Sequence, residues 1–311
     1  MNVYYIGSAL NLSALYMLAG SGAVISIKSG DFNLGGEGQI YLGGFVSAIL
    51  LAKLGGGSGF AISVLAVLIS LFTAFICSAL MAALSALLKL FRNADFLFTS
   101  FIASAAVIPF IDGLISGPFR STSDNLLATP FIAEEVRLPG ILPPSPLNAS
   151  FIAALLLCAA AWLLLHRTAW GRQLCILGTS PEFSRFAGFA CRRLSLSSAI
   201  ISGGLHGLTG AAAILGTYFT CHQGFYSGIG WNAFSAALIA GANPLFLIPS
   251  SLFIGLITTY SNKFALYHNF GFDMSGLIQA AILFLIAFKP QSSEVSKGSI
   301  TGLLRKFRRP R

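Results

Sequence analysis

The sequence predicts an all-α protein, a polytopic bundle of about nine transmembrane helices, some of them short or broken, with one short amphipathic helix in an inner loop. Three observations predict it. First, 55% of the 311 residues are hydrophobic and only 9% are charged, with a mean hydropathy of +0.80, whereas soluble domains carry about 25% charged residues. Second, no Asp, Glu, Lys or Arg occurs at 1–27, 54–88 or 194–262. A bilayer crossing takes about 20 apolar residues, so the last run alone holds about three. Third, the bases are segregated. Arg167, Arg172, Arg185, Arg192 and Arg193 face a single acid, Glu182, and Lys289, Lys297, Arg305, Lys306, Arg308, Arg309 and Arg311 face only Glu294. That is the pattern of cytoplasmic loops beside a membrane. The net charge of +9 therefore reports topology, and no nucleic-acid partner is expected. The runs lack the polar/apolar alternation of a lipid-facing barrel strand, and helices are the remaining way to satisfy a backbone in hydrocarbon.

The hydrophobic segments fall near 9–27, 38–54, 60–88, 96–115, 150–166, 195–215, 231–243, 245–260 and 275–289. The third is long enough to continue past the bilayer as a tilted helix. The seventh and ninth are short, and Asn243-Pro244 interrupts the chain between the seventh and eighth, as in broken helices that line a polar cavity. Residues 1–290 form the membrane domain, and 291–311 form a basic cytoplasmic tail. Loops 167–193 and 289–311 lie inside together with Lys89–Arg92, and 116–147, with its prolines, lies outside as a connection with little helix. Nine crossings put the N-terminus outside and the C-terminus in the cytoplasm. The leading apolar stretch has no basic flank and no small-residue cleavage site, and it reads as a retained span. The five cysteines stand singly, with no two outward ones available to pair, and read as packing residues.

Catalytic signatures are absent from the sequence. There is no G-x-x-x-x-G-K-[ST], no H-E-x-x-H, no metal-spaced Cys/His cluster and no G-x-S-x-G. No cofactor, metal site or catalytic residue is expected, and uphill transport would draw energy from an ion gradient or from another chain.

Four stretches carry the functional reading. In Gly30–Gln39, the run Asn33-Leu34-Gly35-Gly36-Glu37-Gly38-Gln39 opens the second span. Glycines at 35, 36 and 38 permit an irregular backbone and close helix approach, and a helix starting at Gln39 would expose unpaired N–H groups. Glu37 either satisfies those donors and fixes the break, or faces solute. In the inner loop, apolar residues recur at Leu174, Leu177, Phe183, Phe186 and Ala187. Thr179 or Ser180 followed by Pro181-Glu182 signals a helix start, with Gly188 a stop. This amphipathic helix either lies on membrane lipid with its arginines at anionic headgroups or docks a soluble partner. In Ile201–Ala211, Gly203, Gly204, Gly207 and Gly210 form close-packing seams. His206 among them packs internally or lines a pathway. Finally, Gly228–Leu245 places Asn232 and Asn243-Pro244 near Phe225, Tyr226 and Trp231, which are either interfacial aromatics or a stacking surface for a flat ring.

Together these stretches resemble the permease subunits of bacterial ATP-driven (ABC) importers of the ribose, nucleoside and branched-chain amino acid family, and most of all the simple-sugar/nucleoside branch. That branch carries Phe-Asn-Ile-Gly-x-Glu-Gly-Gln, matched by Phe32 through Gln39 with Leu34 for Ile. Its Asn-Glu-Val-x-x-Thr is matched only loosely, by Ala94, Asp95 and Thr99, and Gly117-Pro118-Phe119-Arg120 resembles its Gly-Pro-Leu-Lys. Thr168-x-x-Gly171-Arg172, Gly178 and Ala187-Gly188 fit, with Ser180 for a common Asn. Ser202-Gly203 to Gly210 fits with His206 where Ala is usual, and Ala240–Leu245 and Gly276-x-x-Gln279 fit as well.

The resemblance covers roughly 20–290. It implies two cytoplasmic ATP-binding subunits, a second permease, homologous or identical, and an extracellular or periplasmic substrate-binding protein. ATP hydrolysis would lie on the separate subunits, and the chain itself would be no enzyme. The resemblance also implies that Arg167–Gly188 is the coupling segment, with Arg167, Gly171, Arg172, Gly178, Ser180, Glu182, Arg185 and Gly188 at the ATPase groove. The protein would sit in the inner membrane and work by alternating access, with Asn33, Gly35, Gly36, Glu37, Gly38, Asn243 and Pro244 at its helix breaks. His206, Gln223, Asn232 and Gln279 are the candidate solute-pathway residues. The solute order expected is nucleoside or purine, riboflavin, ribose-like sugar, then branched-chain amino acid. An ion-coupled secondary transporter or channel is the alternative. It would require intramembrane ionisable groups; the candidates are Asp112 near a span's outer end, Glu37 at a span's start and Asp273 before the last span, and none sits mid-span with a charged partner at helical spacing.

Overall fold

The computed structural model describes residues 3–55, 59–122 and 125–268, with 276–277, 280–281 and 284. Helices dominate: α1 (Val3–Lys28), α2 (Gly36–Leu54), α3 (Phe60–Arg92), α4 (Phe96–Ser116), α5 (Ser150–Arg167), α6 (Ala169–Thr179), α7 (Pro181–Phe186), α8 (Cys191–Ala213), α9 (Ile229–Ile239) and α10 (Leu247–Tyr267). A π-helical turn, Ile214–Tyr218, prolongs α8. Among the described residues there is no β-strand beyond the isolated bridges Ala128↔His222 and Gly140↔Asn148.

Two helices form the centre. α1 and α8 are each 83% buried along their apolar windows, against 22–28% for α3, α4 and α5. α8 packs against α1, α2 and α3, while α1 packs against α5, α9 and α10, and α4 covers α2 and α3. The glycine seam makes this close packing possible. A Cβ at Gly207 would sit 2.4 Å from Ala74 O, and one at Gly43 would sit 2.4 Å from Gly207 O. Such contact between backbones gives helices in lipid the dispersion energy that hydrophobicity cannot supply there. The peripheral helices show large apolar side chains outward, among them Phe60, Leu65, Leu68 and Phe72 on α3.

Among the described residues five helices, α1, α3, α4, α5 and α8 with its π turn, are long and apolar enough to cross a bilayer. The nine crossings of the sequence reading are not all seen. α9 is only 11 residues long, most of the segment 275–289 lies outside the described residues, and the tail 291–311 lies wholly outside them. α3 continues to Arg92, beyond the apolar run, as its length predicts. Among its described residues the 116–147 connection has only the 3-10 turn Glu134–Val136 as helix.

Two expectations are corrected. α2 begins at Gly36, not Gln39, so Glu37 lies inside its first turn. The inner loop forms two helices rather than one, because Ser180 precedes a proline and is extended (φ −147°, ψ 86°), the conformation that the proline ring imposes on its predecessor.

Candidate functional site

The chain between α1 and α2 is not a surface loop. Gly22 of α1 and Gly36 of α2 both lie against His206, with Cβ positions 3.5 and 3.4 Å from its ring. Gly22 stands six residues before Lys28, about 9 Å along the helix axis at 1.5 Å per residue. The chain therefore leaves α1 at Lys28 and runs back alongside it, extended through Asn33, before α2 starts. Irregular backbone at such depth must find its partners in the protein, and it does. Leu34 N donates to Ser100 Oγ at 3.2 Å, Gly38 N to Ser104 Oγ at 2.8 Å, and Gly35 N to Asn33 Oδ1 at 3.0 Å. The donors at the start of α2 are thus met by two serines of α4 and by Asn33. They are not met by Glu37.

Asn33 and Gln39 form a reciprocal amide pair (3.0 and 3.2 Å), and Asn33 Nδ2 also reaches Ser202 Oγ at 3.0 Å on α8. Gln39 Oε1 lies 2.7 Å from His206 Nδ1. All four side chains are buried, so His206 is held in a polar knot that ties the break to the central helix.

Glu37 points elsewhere. Its carboxylate accepts from Gly228 N at 2.8 Å, at the start of α9, whose N-cap glycine (φ +78°) brings no side chain to cap it. The acid satisfies orphan donors as one of its two readings required, but those of another helix. Asn232, one turn into α9, is buried and donates to Tyr16 OH at 3.1 Å. Gln223 holds the far connection, donating to Asp112 O at 3.0 Å and Ser116 Oγ at 2.8 Å. His206, Asn232 and Gln223 are therefore in three separate places, and Gln279 lies outside the described residues, as does Asp273. At the other break, Ala242 takes φ +52° and Asn243 Oδ1 accepts from Leu245 N at 3.0 Å, fixing the Asn243-Pro244 turn between α9 and α10.

The inner segment is built from α6 and α7. Thr168 caps α6 by accepting from Gly171 N at 3.0 Å. Gly171 lets α6 cross the end of α5, since a Cβ there would lie 2.2 Å from Leu164 O. Arg172 donates to Arg167 O at 3.3 Å. Leu174 and Leu177 bury against the bundle, whereas α7 turns away from it, with Glu182 and Arg185 exposed and Phe186 92% exposed. The apolar residues read as one stripe are thus divided: two anchor α6 and two stand outward on α7. Gly188 takes φ +76° and follows α7 as the expected stop.

The end of α6 meets the helix break directly. Gly178 and Gly30 (φ +81°) touch backbone to backbone, and a Cβ on Gly178 would lie 2.3 Å from Lys28 O. Beside this contact Asp31, which sequence reasoning missed, pairs with Lys89 of α3 and accepts from Ser195 Oγ of α8 at 2.5 Å. Ser26 Oγ accepts from Asn33 N at 2.8 Å and donates to Asp31 O. A signal was available: Asp31 is the first acid in the sequence, three residues after its first base, Lys28, with Ser29-Gly30 between them.

A lipid-spanning bundle with a re-entrant break at its centre, and a helical knob braced against that break, defines a membrane permease component. The chain belongs to the branched-chain amino acid transport system / permease component family, whose sequence profile matches residues 5–287. It is 34% identical over 91% of its length to a protein of Treponema pallidum named a probable riboflavin import permease protein, RfuC, covering 74% of that protein. It is 23% identical to the guanosine ABC transporter permease protein NupP of Bacillus subtilis, over 81% of this chain and 72% of that one. With the nucleoside ABC transporter permease protein NupB of Lactococcus lactis the identity is 22%, over 91% and 79%. A solved inward-facing structure of a transporter described as of metal-chelate ABC type aligns over 92% of this chain and 85% of its own, at 18% identity and TM-score 0.47. The protein is accordingly a multi-pass membrane permease of the ABC importer class, and a self-powered ion-coupled carrier is not favoured.

Proposed function

We propose that this permease carries a flavin of the riboflavin type, or failing that a purine nucleoside, inward across the inner membrane by alternating access. The motifs alone put nucleosides first. The higher identity to the riboflavin-import relative than to the guanosine one reverses that order. Two cytoplasmic ATP-binding subunits, a second permease copy or homologue, and a substrate-binding protein on the outer face complete the importer. ATP hydrolysis lies on those separate subunits, and the C-terminus is cytoplasmic.

The observation that carries the coupling is the exposed α7, joined through Gly178 and Gly30 to the chain that begins α2. When the ATPases close, they push α7 and α6, the Gly30 turn moves with Gly178, and the polar knot at Asn33, Gln39 and His206 passes the shift to α8. No bond is made or broken in this chain. Arg167, Gly171, Arg172, Gly178, Ser180, Glu182, Arg185 and Gly188 are its coupling residues, and Asn33, Gly35, Gly36, Glu37, Gly38, Asn243 and Pro244 fix the breaks about which it rocks.

Uptake of radiolabelled riboflavin and guanosine into liposomes holding the complete importer tests the reading. Gly178→Trp and Arg172→Glu are expected to abolish or strongly slow uptake with the complex still assembled. Unimpaired uptake in both removes the coupling assignment, and a wild type that imports neither solute removes the substrate assignment.

A further inference from the structure

Where the end of α6 meets the turn before α2, the chain leaves a cavity of about 370 Å³, within the roughly 300–1,000 Å³ of ligand pockets. Four places supply its walls: the turn at Asp31, the end of α3 with Lys89, the α6–α7 corner with Arg185, and the start of α8 with Arg192 and Ser195. Three bases thus line it against one acid. That acid is already engaged, since Asp31 pairs with Lys89 through one oxygen and accepts from Ser195 Oγ through the other. Arg185 and Arg192 are different. Both are exposed, and among the described residues neither has an ion-pair partner. Glu182, on the same helix as Arg185, does not line the cavity. The first turn of α8 also faces this space, and its N-cap, Ala190, brings no side-chain acceptor. A helix of 23 residues therefore adds its partial positive end to the two guanidinium groups.

We propose that this cavity is a binding site for a phosphate group, whose oxygens accept from Arg185, from Arg192 and from the first turn of α8. Guanidinium forks match phosphate with paired, charge-assisted hydrogen bonds, and a helix start offers backbone donors to the same oxygens. Leu90 and Leu177 form an apolar side of the cavity, which suits the carbon part of a phosphate ester. Two sources carry that chemistry. Basic pockets between helices at a membrane face take phospholipid headgroups, and soluble phosphate esters present the same oxyanion. An occupant held by both arginines joins α7, which otherwise turns away from the bundle, to the central helix α8. The site stands apart from the choice of solute, and finding it needs no transport measurement.

The purified full-length chain in a neutral maltoside detergent tests this. The probes are inorganic phosphate, titrated against chloride at constant ionic strength, and phosphatidylglycerol, with a phosphate-free diacylglycerol glycolipid as the lipid control. The readout is the rise in melting temperature with probe concentration, since a ligand of the folded state stabilises it by mass action. Native mass spectrometry counts the lipids bound. Wild type is expected to be stabilised by inorganic phosphate, by phosphatidylglycerol beyond the glycolipid, or by both. Response to phosphatidylglycerol alone assigns the headgroup, response to inorganic phosphate extends the site to soluble esters, and each supports the proposal. Arg185→Gln and Arg192→Gln, both at exposed positions, are each expected to weaken binding about tenfold. Arg193→Gln removes the same charge from the next position, outside the cavity, and is expected to change binding by less than about twofold because exposed charges are screened. A wild type that responds to neither phosphate nor phosphatidylglycerol overturns the site, whatever the variants do. A loss in Arg193→Gln as large as that in Arg185→Gln and Arg192→Gln also overturns it, since the attraction would then be diffuse charge.

Discussion

The Glu37 carboxylate, in the first turn of α2, accepts a hydrogen bond of 2.8 Å from the backbone N–H of Gly228, 191 positions later in the chain. One helix start is thereby capped by the side chain of another, which ties the break before α2 to the start of α9. Glu37→Ala leaves the start of α9 uncapped and is expected to cost about 2 kcal/mol, read as a lower melting temperature of the purified protein. Glu37→Gln keeps an acceptor oxygen and is expected to stay within about 1 kcal/mol of wild type.

Two glycines on different helices, α8 and α4, make a sharper contrast. A methyl on Gly210 would stand 2.0 Å from Ile40 O and 2.6 Å from Gly44 N, whereas one on Gly113 meets nothing within 4 Å. Gly210→Ala forces α8 from α2, and backbone cannot repack as a side chain does. The cost expected is about 3 kcal/mol, with a large loss of folded yield in size-exclusion chromatography. Gly113→Ala is expected to be neutral or stabilising by about 0.5 kcal/mol.

Asp31 and Lys89 form an unequal pair, with side-chain exposures of 9% and 35%. Removing the base strands a buried carboxylate that only Ser195 still serves, while removing the acid leaves an ammonium that can turn to water. Lys89→Met is therefore expected to destabilise by about 3 kcal/mol and Asp31→Asn by about 1 kcal/mol. The double variant is expected to fall short of the sum in a thermal-denaturation cycle. Equal losses in the two single variants would contradict the asymmetry.

Asn148 is the hub of the opposite end. Its Nδ2 donates to Asn11 Oδ1 at 2.9 Å and to Gly216 O at 2.9 Å, and its Oδ1 accepts from Ser150 N at 3.0 Å. Asn148→Asp replaces the donor by a second oxygen facing Gly216 O, and a loss of about 2–3 kcal/mol is expected. Loss of thermal stability that is relieved at acid pH, where the new carboxyl regains a proton, would identify the repulsion as the cause.

What could be read from the sequence and what could not follows the range of the interactions. Apolar runs locate α1, α3, α4, α5 and α8 because desolvation acts on each segment by itself. The glycines at 203, 207 and 210 announce close packing, but not that α2 and α3 are the helices they admit. The Ser180-Pro181 step announces the start of α7, as observed, whereas the separate helix α6 before it is not announced by that step. Glu37 shows why partners stay hidden: an acid beside a helix start suggests that helix, and only the fold brings Gly228 nearer. Asp31 was passed over because its partners, Lys89 and Ser195, come from helices far along the chain. His206 could be seen to need a polar neighbour, and Gln39 is that neighbour only because the chain doubles back along α1.

The enclosure of α1 bears on biogenesis. Of the described helices α1 is made before the others, it is among those most thoroughly wrapped in the fold, and its wrapping, α5, α8, α9 and α10, is synthesised well after it. Until then Asn11, Ser13, Ser21 and Ser26 look out onto acyl chains or an insertase. Nascent polypeptides halted before Cys191 should consequently be prime clients of membrane quality control, and proteolysis should clear them faster than chains released after Tyr267.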